Sequence, residues 1–207
     1  MKKETKNTAS MIVLAVGIIG LGAFLAINNK SASPTSRQSA QVNEYRSESF
    51  SPSELIGKSV PQFSLTDING KEYSSKNLKG KNVVLFFNEG LMCYPACWNQ
   101  IAKFGSDSRF NSSDTVALSV VVDPKTEWKQ AIDKMPELAA ATTLFDDGGA
   151  VSRAFNVLKT DSSMHYGMLP GHTYVIIDKA GIVRDVYDDP RMAIRNDEIF
   201  AKIQAFK

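Results

Sequence analysis

The sequence turns on Phe86-Phe87-Asn88-Glu89-Gly90-Leu91-Met92-Cys93-Tyr94-Pro95-Ala96-Cys97-Trp98-Asn99-Gln100-Ile101, which holds the only two cysteines of the chain. Residues 82–87 (NVVLFF) form an apolar run, and the residues that follow can open a helix. A strand running out into a helix start is where a thiol becomes reactive. Unpaired N–H groups and the positive end of the helix dipole favour the thiolate there. Cys93 and Cys97 are spaced Cys-x-x-x-Cys, and residues four apart on a helix share a face. Two sulfurs so placed can close a disulfide or hold one soft metal ion. Thiol redox chemistry is the leading reading and metal binding the rival.

The flanking sequence supplies a sheet and helices around this stretch. Residues 60–67 (VPQFSLTD) alternate as a strand, and Asn69-Gly70 turns into a short second strand at Glu72-Tyr73. Residues 83–87 read as a strand buried on both faces, and Pro95 suits the first turn of the helix after it. Trp98, Ile101 and Phe104 recur at helical spacing and should face the sheet. Residues 115–122 (TVALSVVV) are the next buried strand, stopped by Asp123-Pro124. A helix over 126–135, a short strand over 142–145 and a helix over 150–157 follow. Residues 173–178 (TYVIID) and 182–187 (IVRDVY) read as a hairpin, and 197–206 as a closing amphipathic helix. This order predicts an α/β fold with a mixed central sheet and helices on both faces, a three-layer sandwich.

Toward the N-terminus, residues 11–27 (MIVLAVGIIGLGAFLAI) carry no charge. At about 1.5 Å per residue they reach roughly 25 Å, close to the ~30 Å hydrocarbon core. A single transmembrane signal-anchor is the reading, with a cleaved signal peptide and a buried core helix as its alternatives. Pro34 directly after Ser31-Ala32-Ser33 argues against cleavage. Lys2, Lys3 and Lys6 against Lys30 and Arg37 put residues 1–10 in the cytoplasm and the rest of the chain outside the cell membrane. Residues 28–54, rich in Ser, Gln and Asn, read as a flexible tether, and the domain proper as 55–207. A formal charge of +2 with mixed signs gives no case for nucleic acid, and no phosphate-cradling glycine motif is present.

From Leu55 onward the chain resembles the thioredoxin-fold redoxins, the alkyl hydroperoxide reductase/thiol-specific antioxidant branch in particular. Four pieces carry the likeness in order: 60–65 with Asn69-Gly70-Lys71; 83–87 running into Cys93 and Cys97; 120–123; and 173–178 with Gly181 and Arg184. The resemblance implies a thioredoxin-like fold and a thiol–disulfide oxidoreductase or thiol peroxidase, its redox centre a disulfide with no further cofactor. It implies protein thiols or disulfides, or a membrane electron donor, as partners. Departures are visible. Reductases of this type carry Cys-x-x-Cys, and the Pro and the hydroxyl that peroxiredoxins place before the peroxide-reactive cysteine are missing in both registers. The three-residue gap resembles instead the Sco-type copper chaperones, which would make Cys93, Cys97 and His172 a Cu(I) ligand set.

Each remaining candidate has a functional and an ordinary reading. Cys93 is the attacking thiol and Cys97 the resolving one, as in thioredoxin-like helices; the peroxiredoxin alignment reverses them. Glu89 relays a proton to the resolving thiol or is a solvated loop carboxylate. Tyr94 shields the cysteines or is an exposed loop aromatic, and Trp98 packs or walls the substrate groove. The Leu169–Pro170 bond is the position nearest to the groove-shaping cis-proline of thioredoxin folds, with a trans turn the alternative. His172 is a ligand or active-site wall, or a polar residue at a strand start; His165 is an exposed loop residue. Arg184 stabilises the thiolate, or pairs with Asp185 or Asp188.

Overall fold

The computed structural model describes residues 51–206. The expected cytoplasmic segment 1–10, the membrane span 11–27 and the greater part of the tether lie outside the described residues. Within them, no helix is long and apolar enough to cross a membrane.

Seven strands make one sheet: β1 (Ser64–Thr66), β2 (Glu72–Ser74), β3 (Asn82–Phe87), β4 (Thr115–Val121), β5 (Thr142–Phe145), β6 (Thr173–Ile177) and β7 (Val183–Asp188), in the order β2-β1-β5-β4-β3-β6-β7. β3, β4 and β5 run parallel, and β6 lies antiparallel on β3, with Phe87 opposite Thr173 and Val83 opposite Ile177. The helices are α1 (Ala96–Ser106), α2 (Lys125–Lys134), α3 (Ala150–Ala154) and α4 (Asn196–Gln204). The predicted mixed α/β sandwich is the observed thioredoxin-like architecture.

Alternation along β3 divides the core in two. Val84 and Phe86 point to one face, where they meet Trp98, Ile101 and Phe104 of α1, Trp128 and Ala131 of α2, and Ile199 and Ile203 of α4. Val83, Leu85 and Phe87 point to the other, packed with Phe63, Leu118, Phe155 and Val157. Both sides of the strand are therefore sealed, which is why it reads as an unbroken apolar run. A fully buried Leu or Phe of this kind contributes about 1.5–3 kcal/mol by removal from water.

Three elements depart from expectation. The first strand is confined to Ser64–Thr66, because Val60 and Phe63 bond instead to Gly181 and Ser75 around the hairpin turns. The helix expected over 150–157 ends at Ala154, where Asn156 takes a φ of 59° and starts a separate short turn at Val157. Between β3 and α1 the chain forms a 3₁₀ turn, Gly90–Cys93, and α-helix begins at Ala96 with Pro95 as its N-cap residue. Cys97 is thus in the first turn of α1, whereas Cys93 is outside the helix.

Candidate active site

Cys93 and Cys97 are joined in a disulfide, their Cα atoms 5.4 Å apart. They meet across the step from the 3₁₀ turn to α1 rather than along one helix face. The turn is held by several local contacts. Gly90 has a φ of 56°, and a side chain on it would run into the Asp123 carboxylate. Asp123 accepts the Leu91 N–H at 3.2 Å, the Gly90 N–H donates to Asn88 Oδ1 at 3.0 Å, and the indole N–H of Trp98 donates to the Gly90 carbonyl at 3.0 Å. Burial pushes the Asp123 carboxyl up to about 6, against the pull of its backbone hydrogen bonds.

The disulfide is covered. Cys93 is 2% exposed and Cys97 is fully buried, so the exposed nucleophile expected at the helix end is absent from this disulfide state. What covers it is side chain. Met192 Sδ lies 3.9 Å from Cys93 Sγ, and the turn's flanks, Met92 and Tyr94, project into solvent. Met192 was not identified from the sequence: it is remote in the chain, in a loop with no periodic pattern. The loop is organised by Asp189, whose carboxylate accepts the N–H groups of Arg191 and Ala193 and pairs with Arg195 at 2.7 Å. Burial alone would raise Asp189, but Arg195 and those N–H groups hold it below the usual carboxylate range.

His172 completes the site from beneath. Because β6 lies antiparallel on β3 with Thr173 opposite Phe87, the residue preceding β6 arrives next to the start of the cysteine turn. Its Nδ1 is 3.4 Å from Cys97 Sγ, and its Nε2 is 2.8 Å from the Tyr174 hydroxyl. Burial pulls His172 down to about 4, so the ring is neutral near pH 7; the Asp189 charge opposes this only in part. One ligand atom from each of Cys93, Cys97 and His172 falls within 4.8 Å of the others. Two thiolates and an imidazole suit Cu(I); in the disulfide form the sulfurs carry no thiolate charge, so it is the reduced pair with His172 that has the donor set for such an ion.

The remaining candidates fall elsewhere. Glu89 is 1% exposed and turned away from the sulfurs: it accepts the N–H of Met164 at 2.6 Å and of His165 at 2.9 Å, and lies 3.1 Å from His165 Nδ1. It clamps the 163–165 loop rather than relaying a proton, and His165 is its partner rather than a free loop residue. Tyr94 is 63% exposed and packs edge-on against Trp98, so it does not lid the cysteines. Trp98 is buried, which removes it as a groove wall. Among the described residues the cis peptide bond is Tyr94–Pro95, not Leu169–Pro170. Arg184 pairs with Asp178 at 2.6 Å, at the Ile177 end of β6, roughly 15 Å along the strand from His172. It offers the thiols no charge.

Comparison with known proteins gives a consistent picture. The AhpC/TSA family model matches residues 56–186. Among curated relatives, a chloroplastic peroxiredoxin Q of Sedum lineare is 30% identical over 158 residues, covering 73% of this chain and 78% of that protein. One of Gentiana triflora is 29% identical over 172 residues, covering 80% and 71%. Among solved structures, Enterococcus faecalis AhpC superposes with a TM-score of 0.62 at 19% identity, over 73% of this chain and 92% of that one. The reduced 2-Cys peroxiredoxin of Plasmodium vivax gives 0.59 at 24% identity, over 73% and 81%. At these identities the superpositions speak to the fold alone.

Proposed function

The chain belongs to the AhpC/TSA family, and from that premise we propose that it is a thiol–disulfide oxidoreductase cycling between the Cys93–Cys97 disulfide and the dithiol. The observation that carries the reading is the intrachain disulfide itself, closed between a short turn and a helix start beside a neutral imidazole. In the reducing direction the Cys93 thiolate attacks one sulfur of a substrate disulfide and expels the other as a thiolate. Cys97 then attacks Cys93 Sγ, restores the internal disulfide and releases the second substrate sulfur. Cys93 takes the first role because it sits on the turn between exposed Met92 and Tyr94, whereas Cys97 is locked in α1 at zero exposure. Protein disulfides are the substrate class this favours, with a thiol protein or a membrane donor resetting the pair. In the same proposal the uncharged run 11–27 tethers the domain outside the cytoplasm, where disulfides persist.

A second reading is thiol peroxidase activity, favoured by the peroxiredoxin Q relatives. There a cysteine thiolate attacks a peroxide oxygen, the O–O bond breaks and the other oxygen leaves as water or an alcohol. The sulfenic acid so formed condenses with the other thiol to the same disulfide and a second water. One experiment separates the two. The reduced full-length chain is given either insulin with dithiothreitol or hydrogen peroxide. Catalysed insulin reduction that is lost in Cys93→Ser supports exchange. Peroxide consumption far above that of free cysteine, without insulin turnover, assigns the peroxidase instead. Labelling of the reduced cysteines in intact cells by a membrane-impermeant thiol reagent tests the location.

A further inference from the structure

We propose that a hydrogen-bond chain anchored on the backbone fixes the tautomer of His172 so that its unprotonated Nδ1 faces Cys97, and that this nitrogen accepts the Cys97 thiol proton as Cys97 attacks the mixed disulfide on Cys93. The inference rests on the exchange reading above and assigns the base that it lacks.

The direction of the chain follows from groups that can only donate or only accept. The Arg195 backbone N–H lies 2.7 Å from Gln100 Oε1, so that atom is the carbonyl oxygen. At the other end of the same side chain, Gln100 Nε2 donates to Asn196 Oδ1 at 2.8 Å. Asn196 is itself oriented, since its Nδ2 donates to the Lys103 carbonyl at 3.2 Å and to the Asp107 carboxylate at 2.8 Å. Flipping the Gln100 amide would set its NH₂ against the Arg195 N–H and its oxygen against Asn196 Oδ1, two mismatches in a buried place. Gln100 Oε1 therefore accepts the Tyr174 hydroxyl proton at 3.1 Å. With its proton committed there, the Tyr174 oxygen accepts from His172 Nε2–H at 2.8 Å. The neutral ring then has a lone pair on Nδ1, 3.4 Å from Cys97 Sγ. The Ala193 carbonyl also bonds the ring and can only accept, so this tautomer requires it to share the Nε2 proton with Tyr174. His172, Tyr174 and Gln100 are all fully buried, so water does not compete for any link.

Such a site acts in one half of the cycle. With Cys93 held as a mixed disulfide, the Cys97 S–H proton moves to His172 Nδ1, the Cys97 sulfur bonds to Cys93 Sγ, and the bond from Cys93 to the substrate sulfur breaks. The leaving thiolate takes up the proton from the imidazolium or from water, so charge and protons balance. His172 is neutral beforehand and becomes cationic only beside the thiolate it creates, a charge pair that stabilises itself in a buried site. His172 touches the reacting sulfur; Tyr174 and Gln100 are positioning residues.

The test uses the full-length chain solubilised in detergent, reduced and freed of reductant. Reaction with 5,5′-dithiobis(2-nitrobenzoate), an aromatic disulfide, releases one thionitrobenzoate when Cys93 attacks and a second when Cys97 resolves the adduct, followed by stopped-flow absorbance. His172→Asn is expected to lower the ratio of second-phase to first-phase rate about a hundredfold, the usual scale of a positioned base. Gln100→Met and Tyr174→Phe should lower it about tenfold, a loss of orientation rather than of the base. An unchanged ratio in His172→Asn overturns the proposal. Since any of these variants could fold poorly, the tautomer is also read on the unaltered chain by ¹⁵N NMR. Two histidines are present, and His165→Asn identifies the other signal set. A protonated Nε2 with a bare Nδ1 supports the chain of bonds; a proton on Nδ1 at neutral pH refutes it. Absence of both phases would instead sink the exchange reading.

Discussion

Met192 Sδ stands 3.9 Å from Cys93 Sγ, on a residue held at a φ of 49°. A side-chain-bearing residue in the left-handed region costs on the order of 1–2 kcal/mol, and here the conformation is held by the Met192 N–H bond to the Asp189 carbonyl at 2.9 Å. The loop spends that energy to set a flexible thioether over the disulfide. Met192→Ala is expected to uncover Cys93 and raise the second-order rate of disulfide reduction by dithiothreitol about three- to tenfold, because exchange rates follow access to the attacked sulfur. Stopped-flow reduction kinetics of the two proteins would show it; equal rates would mean the thioether is not the barrier.

Glu89 gives a stability prediction that separates clamp from catalyst. Its buried carboxylate takes the Met164 and His165 N–H groups and faces the His165 ring. Glu89→Ala strands those donors and should cost about 2–4 kcal/mol in urea unfolding. Glu89→Gln, which keeps an acceptor oxygen, should cost about 1 kcal/mol. Both should leave the rate of Cys97 resolution within about threefold of the parent, since neither touches the sulfurs. A large kinetic defect with little loss of stability would restore the proton-relay role expected from sequence.

Gly90 and Asp123 should couple. An alanine at 90 must adopt the left-handed backbone and also push the Asp123 carboxylate away. Gly90→Ala is expected to destabilise by about 2–4 kcal/mol from the two effects together. In the double variant Gly90→Ala/Asp123→Ala the clash with the carboxylate vanishes and only the tight approach to Val121 Cβ remains, so a double-mutant cycle should return an interaction energy on the order of 1 kcal/mol or more. Strict additivity would show that the backbone conformation alone accounts for the cost.

How far the sequence carried this picture differs between fold and site. The central strands were legible because burial on both faces leaves no polar residue to interrupt them, as in Val83 to Phe87. The cysteine pair was legible by spacing alone, and His172 by its place just ahead of β6. What failed was direction. Glu89 lies next to the cysteine turn in sequence but points to the 163–165 loop, a choice made by N–H groups more than seventy residues away. Arg184 belongs to the right hairpin but to its far end, because the antiparallel pairing of β6 places Val183 against Ile177. Tyr174, inside an apolar strand, reads as packing; that its hydroxyl links His172 to Gln100 depends on where α1 and the loop before α4 come to rest. Met192 carries no pattern at all.

The last prediction concerns acid, where the buried His172 and the half-buried Asp123 oppose each other. His172 is held at about 4 in the fold, below the ordinary 6.5, so the unfolded chain binds its proton more readily. Its contribution is complete above about pH 6.5 and is lost as pH falls toward 4, in total on the order of 3 kcal/mol. Asp123 has the other sign. Its carboxyl is raised to about 6 from the ordinary 3.8, so the fold binds the proton more tightly and the associated stability is lost as pH rises from about 4 to 6, about 3 kcal/mol less a share for solvent screening of this half-buried group. Between pH 4 and 6 the two slopes should largely cancel in the unaltered protein. His172→Asn removes one of them, and stability measured by urea unfolding should then fall as pH rises through this window. Asp123→Asn removes the other, and stability should rise instead. Parallel pH curves for the two variants would contradict both assignments.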